Sequence, residues 1–150
     1  MNILLGVSLA PIGILAGIYL ATSIHDYRVA DLSATQYVAM HQMRDKTFRA
    51  IMPALSLTTF GLASASAAWA LAPGVPSFLG AAACLLLMID IILATTWQIP
   101  LNRQIQSWTE SATPLDWHQV RDRWALHHNM RTTLGSASYV LFLAAVLTRS

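Results

Sequence analysis

Four apolar runs, each about long enough to cross a bilayer, alternate along the chain with polar stretches. The first covers residues 3–23. About 20 apolar residues on a helix span the roughly 30 Å hydrocarbon core, so this run predicts a membrane-crossing helix. Gly13 and Gly17 give it a small-xxx-small face that admits a close neighbour. A polar connector at 25–33 follows, and Ser33 or Thr35 stands where a helix cap is needed. The second helix is expected over 34–72, nearly twice the spanning length. Its first part, 35–49, is amphipathic and charged, and 50–72 is apolar. Pro53 at the junction predicts a kink or a fresh helix start. The breaker-rich segment 72–76 predicts a tight turn.

The third run, 76–97, is apolar and passes into a polar stretch, 98–110, where Pro100 predicts a second kink. Residues 111–114 read as a turn. Thr113 before Pro114, with Asp116 in the first turn, reads as the start of the fourth helix. That helix is polar over 116–131 and apolar over 132–148, with Arg149 able to snorkel to the headgroups. The polar parts of helices two, three and four all fall on one side of the bilayer. The pattern therefore predicts one all-α domain over 1–150, an integral membrane four-helix bundle. Helices two, three and four extend into a polar head made by 25–49 and 98–131.

Charge orients this bundle. Of nine Lys and Arg residues, eight lie in the head (Arg28, Arg44, Lys46, Arg49, Arg103, Arg121, Arg123 and Arg131). The positive-inside rule then predicts a cytoplasmic head in a plasma (inner) membrane, with both termini outside. Composition agrees with immersion in lipid: charged residues make up 11% of the chain and mean hydropathy is +0.51, against about 25% charged in soluble domains. The first run lacks the basic start of a secretory signal and reads as a retained helix. The single cysteine, Cys84, reads as a packing residue. The basic head suits anionic lipid rather than nucleic acid. The chain leaves room for a homo-oligomer and a hydrophobic small-molecule partner.

The chemistry-bearing residues fall into stripes. Asp90 lies inside an apolar span, where ionisable groups face the bundle interior or a cavity. Steps of four carry its face through Ala94 to Gln98, Asn102 and Gln106. Two readings stand open: hydrogen bonds that fasten helices together, or the wall of a polar pocket or proton path. On helix four, Arg121, Trp124, His128 and Arg131 share one face. Trp124 offers an aromatic wall, His128 exchanges protons around neutral pH, and Arg131 suits an anionic group. Interfacial anchoring is the competing reading. Helix two adds His41 with Arg44 and Asp45.

His41 and His128 are expected to converge on one cavity at the edge of the membrane, where two imidazoles would serve to hold copper, iron or haem. His25 and His118 are expected at exposed helix ends, and His127 off the functional face. Serine-hydrolase, nucleotide-loop and dinucleotide fingerprints are absent from the sequence.

Gln98-Ile99-Pro100-Leu101-Asn102, then Trp108, Trp124, His128 and Arg131-Thr132, resemble the anthrone oxygenase-like family of small four-helix membrane proteins. That family shows P-x-N at the end of its third helix and W-x-x-x-[HN]-x-x-R entering its fourth. Gln98 departs from the Asn often found two residues before the proline. The resemblance implies a membrane monooxygenase that uses dioxygen on a hydrophobic, anthrone-like aromatic ketone. His128 or His41 would then be the base, and Asn102 and Arg131 would stabilise the oxyanion. Trp124 and Trp108 would stack on the flat substrate, with Gln98 and Asp90 lining its pocket. Two other classes stand beside it: a haem- or copper-binding redox protein, and a non-enzymatic membrane subunit or permease. The absence of paired repeats with broken helices weighs against a transporter.

Overall fold

A computed structural model describes residues 3–109 and 112–148. Glu110, Ser111 and Arg149, each named in the sequence reading, lie outside the described residues. The helices are α1 (Ile3–Asp26), α2 (Ala34–Trp69), α3 (Val75–Leu93), α4 (Ile99–Gln106) and α5 (Trp117–Leu147). A π-helical turn, Ala94–Gln98, joins α3 to α4 in one continuous rod. Four rods are thus long and apolar enough to cross a membrane. They run up-down-up-down, with α1 packed on α2 and α5, and α3 packed on the same two.

Local chemistry sets the helix ends. Ser33 is the cap of α2: its Oγ accepts from the Gln36 backbone N–H, and the Gln36 side chain accepts from the Ser33 N–H at 3.0 Å. Pro53 sits inside an unbroken α2, so no new helix starts there. The expected end at 72 moves back to Trp69. Gly74 makes the turn into α3 at φ 103°, a conformation that suits a residue without Cβ. Pro100 does not end the third rod. It offers no N–H, and the ladder shifts to a wider spacing just before it, with the Ile99 N–H reaching the Ala94 carbonyl.

That rod stops at Gln106, short of the expected 110. The Gln42 side chain reaches across from α2 and donates to the carbonyls of Ile105 (3.0 Å) and Trp108 (2.9 Å). Carbonyls near a helix end have spare acceptor capacity, and that of Ile105 also takes the Trp108 N–H at 3.2 Å. The last helix begins at Trp117, later than the Thr113-Pro114 pair suggests. The Thr113 hydroxyl turns back to the Thr109 carbonyl at 2.9 Å instead of capping forward, and Asp116 becomes the residue before the helix.

Two apolar cores stack along the bundle. The membrane core gathers Leu5, Ile12, Leu15, Tyr19, Leu87 and Phe142. The head core gathers Val29, Tyr37, Leu101, Ile105, Trp108 and Trp124. Outside the membrane core, Ile14, Leu57, Phe78, Leu85 and Val140 are exposed, as a lipid-facing surface requires. Close approach of α1 to α5 occurs at Gly135, where a Cβ would lie 3.0 Å from the Tyr19 ring. Gly13 similarly meets Tyr139, but Gly17 faces open space and makes no such contact. Inside the apolar layers, Ser8 meets Ser66 at 2.6 Å and Ser138 donates to the Ala83 carbonyl at 3.0 Å. Such hydrogen bonds fasten helices where lipid supplies no hydrophobic drive. Cys84 is half-buried against the membrane core, among packing neighbours.

Candidate functional site

A column of polar and aromatic side chains runs down the bundle axis through three layers. Asn102 is the hub of the uppermost. Its Nδ2 donates to Asp45 Oδ1 at 2.8 Å. Its Oδ1 accepts from Trp124 Nε1 at 2.6 Å and lies 3.3 Å from His41 Nε2. The carbonyl oxygen only accepts, so His41 carries its proton on Nε2. Its Nδ1 faces the donor-only guanidinium of Arg44 at 3.4 Å, which fits that tautomer. Arg44 also pairs with Asp26 at the end of α1 and lies 4.6 Å from the Trp124 ring centre. Arg49 holds the other oxygen of Asp45 at 2.7 Å.

The deepest layer is ionic. Arg131 Nε donates to Asp90 Oδ1 at 2.7 Å, and the Tyr19 hydroxyl donates to Asp90 Oδ2 at 2.9 Å. A second guanidinium nitrogen contacts the Tyr19 oxygen, and the guanidinium lies 4.7 Å from that ring's centre. Asp90 is 1% exposed. At that burial an ion pair holds only if its remaining lone pairs are satisfied, and Tyr19 supplies what Arg131 does not.

His128 links the two layers. Its ring stacks on Trp124, with centroids 4.9 Å apart and planes at 11°. It meets Tyr19 edge-on at 5.9 Å. Nε2 lies 3.2 Å from the backbone carbonyl of Tyr19. A carbonyl accepts only, so Nε2 carries the proton and Nδ1 carries the lone pair. The two histidines therefore differ. The lone pair of His41 points at a cation, and that of His128 does not.

His41 and His128, expected to converge on one cavity, meet through Trp124. His41 packs edge-on against Trp124 at 5.0 Å, and His128 stacks on the same indole. Both imidazoles thus contact one indole, His41 at an edge contact and His128 by stacking. The height mismatch along α2 and α5 explains this: Trp124, one turn before His128, is the residue level with His41. Shared ligation needs one nitrogen of each about 2 Å from one ion, but His41 Nε2 faces Asn102, His41 Nδ1 faces Arg44 and His128 Nε2 faces the Tyr19 carbonyl. Among the described residues no group of three or more His, Cys, Asp and Glu side chains is poised for a metal either. The residues present do not fit a copper, iron or haem iron held by this pair.

The other singled-out residues divide. Gln98 is buried at 3% exposure, on the inner face that the stripe predicted. Gln106 donates to the Gln42 carbonyl at 3.1 Å. Trp108 is buried in the head core. Arg121 leaves the stripe: it lies over Trp117 at 5.1 Å and bonds Asp122. His25 and His118 are exposed as expected, and His127 stacks on Trp97 at 4.8 Å, away from the column. Tyr19 and Asp26 went unread in the sequence. The signal for Tyr19 was present, since a phenol within an apolar span needs a partner.

The family model for anthrone oxygenase matches residues 40–141. Comparison with curated proteins and with solved structures gave no match. The matched segment covers more than half of the chain and includes Asp45, Asp90, Asn102, Trp124, His128 and Arg131. A match of that extent shows that the chain belongs to the anthrone oxygenase family.

Proposed function

We propose that this protein is a membrane-embedded oxygenase that uses dioxygen to oxidise a flat, hydrophobic, anthrone-like ketone, with His128 as the base. The observation that carries the reading is the contact of His128 Nε2 with the Tyr19 carbonyl, which assigns the lone pair to Nδ1, on a ring stacked against Trp124 inside a membrane bundle. His128 Nδ1 takes a proton from the activated CH2 of the substrate, and the electron pair moves onto the ketone oxygen. The carbanion form then reduces dioxygen and bonds it as a carbon-bound hydroperoxide. Loss of water leaves a second carbonyl. The substrate thus exchanges two hydrogens for one oxygen atom, and the other oxygen leaves as water.

Other residues hold this arrangement. Asn102 is a positioning residue, because both ends of its amide are committed to Asp45, His41 and Trp124. Asp90, Tyr19 and Arg131 brace the floor, and Arg131 lends positive charge below His128. Trp124 supplies the aromatic wall, with Trp108 behind it in the head core. We further assign the basic head to the cytoplasmic side of a plasma membrane, on the distribution of Lys and Arg.

The test is oxygen uptake by purified protein supplied with anthrone, with anthraquinone as product. Wild type should consume one dioxygen per anthrone. His128→Ala should lose about 10²–10⁴-fold in turnover, the usual contribution of a general base, with helicity kept. His41→Gln, which keeps a donor toward Asn102, should stay within about tenfold of wild type, far from the loss expected of a base. Equal losses at both histidines would reject the assignment.

A further inference from the structure

The oxyanion that His128 would create needs donors, and the two obvious ones each already hold a carboxylate. Asn102 Nδ2 goes to Asp45. The Arg131 guanidinium goes to Asp90 and Tyr19. Gln98 differs from both. It is 3% exposed, and among the described residues neither its Nε2 nor its Oε1 has a hydrogen-bond partner. An amide kept away from water without partners is costly, so buried amides are nearly always paired.

The height of Gln98 is fixed by three contacts between the third rod and α5, which run antiparallel. Asp90 pairs with Arg131, Trp97 stacks on His127, and Asn102 accepts from Trp124. Running antiparallel from the Trp97–His127 pair, Gln98 falls beside Leu126, within one helical turn of His128, below the Asn102 hub and above the Asp90 pair. The π turn ends at Gln98. Its wider winding puts Trp97 on the lipid side, 42% exposed, and Gln98 on the inner side.

We infer that the unpaired, buried Gln98 carboxamide, set within one helical turn of His128, is the catalytic donor that stabilises the ketone oxyanion. Its two N–H groups face no competing acceptor, so they are pre-organised for charge that develops on a substrate oxygen. This rests on the reading of His128 as the base in ketone oxidation, and the test separates the two.

Two readouts are needed, turnover of anthrone and binding of 2-naphtholate relative to naphthalene, followed by ligand and tryptophan fluorescence. The first ligand carries an anionic oxygen and the second has none. Gln98→Leu should lower kcat by about 10²–10³-fold, the usual loss for one oxyanion donor, with KM changed little. It should weaken naphtholate binding at least about tenfold and leave naphthalene binding as in wild type. Gln98→Glu has the same shape but only accepts when ionised, so it should behave like Leu. Gln98→Asn keeps the donor and should recover part of both signals. The Asn variant also covers the case in which the Leu variant misfolds. An unchanged naphtholate preference in Gln98→Leu, or turnover in Gln98→Glu equal to wild type, would overturn the inference and leave the base assignment standing. No anthrone turnover by wild type would overturn both.

Discussion

Asp90 and Arg131 form the most deeply buried ion pair among the described residues. Both are buried, and the Tyr19 hydroxyl completes the carboxylate shell. Removing one partner strands the other charge in a medium that cannot solvate it, which costs about 3–5 kcal/mol. Asp90→Leu and Arg131→Met should each destabilise on that scale. The double variant should be less damaged than either single one, because no charge is left unpaired. Thermal unfolding in detergent reads this directly, and additive losses would refute it. Asp90 was legible in the sequence as an ionisable residue at membrane depth. Its partners were not, because Tyr19 stands 71 positions away and Arg131 stands 41 away.

At the scale of elements, two side chains decide how the third rod ends and turns. Gln42 bonds carbonyls at its C-terminal end, and Gln106 answers with a bond to the Gln42 carbonyl. Gln42→Leu removes these donors; of the two carbonyls, among the described residues only that of Ile105 keeps another, the Trp108 N–H. A loss of about 1–3 kcal/mol is expected, with faster amide exchange across α4. Unchanged exchange there would show that Gln42 is dispensable. The helix pattern itself was readable from apolar run lengths, and Ser33 was named as a cap. The π turn was not readable. Pro100 predicts some disturbance, but whether the backbone kinks, breaks or widens depends on how neighbouring helices pack. Here widening keeps both Asp90 and Asn102 on the inner face. The Thr113-Pro114 start signal failed for a similar reason, since the hydroxyl had a nearer acceptor behind it.

For the whole molecule, the proposed sidedness rests on charge. With Cys84 replaced, a cysteine at Leu115, which is 96% exposed in the head, should label only from the cytoplasm. A cysteine at Gly74, in the turn between α2 and α3, should label only from the opposite face. Labelling of both from one side would defeat the four-span topology. The reversed pattern would defeat the orientation alone.

What the amino-acid sequence determined by itself was local or additive. Apolar run length set the number of spans, because the bilayer thickness is fixed and each residue adds a constant rise. Four-residue spacing set which of Asp90, Gln98, Asn102, Trp124, His128 and Arg131 share a face. What only the tertiary structure decided was which faces meet and at what height. A turn of error along a helix is about 5 Å, and that exchanges one partner for another. It put the Trp124 indole, not His128, beside His41, and it committed Asn102 while leaving Gln98 unpaired. Those outcomes depend on the relative sliding of helices far apart in the chain, which no periodicity within one helix encodes.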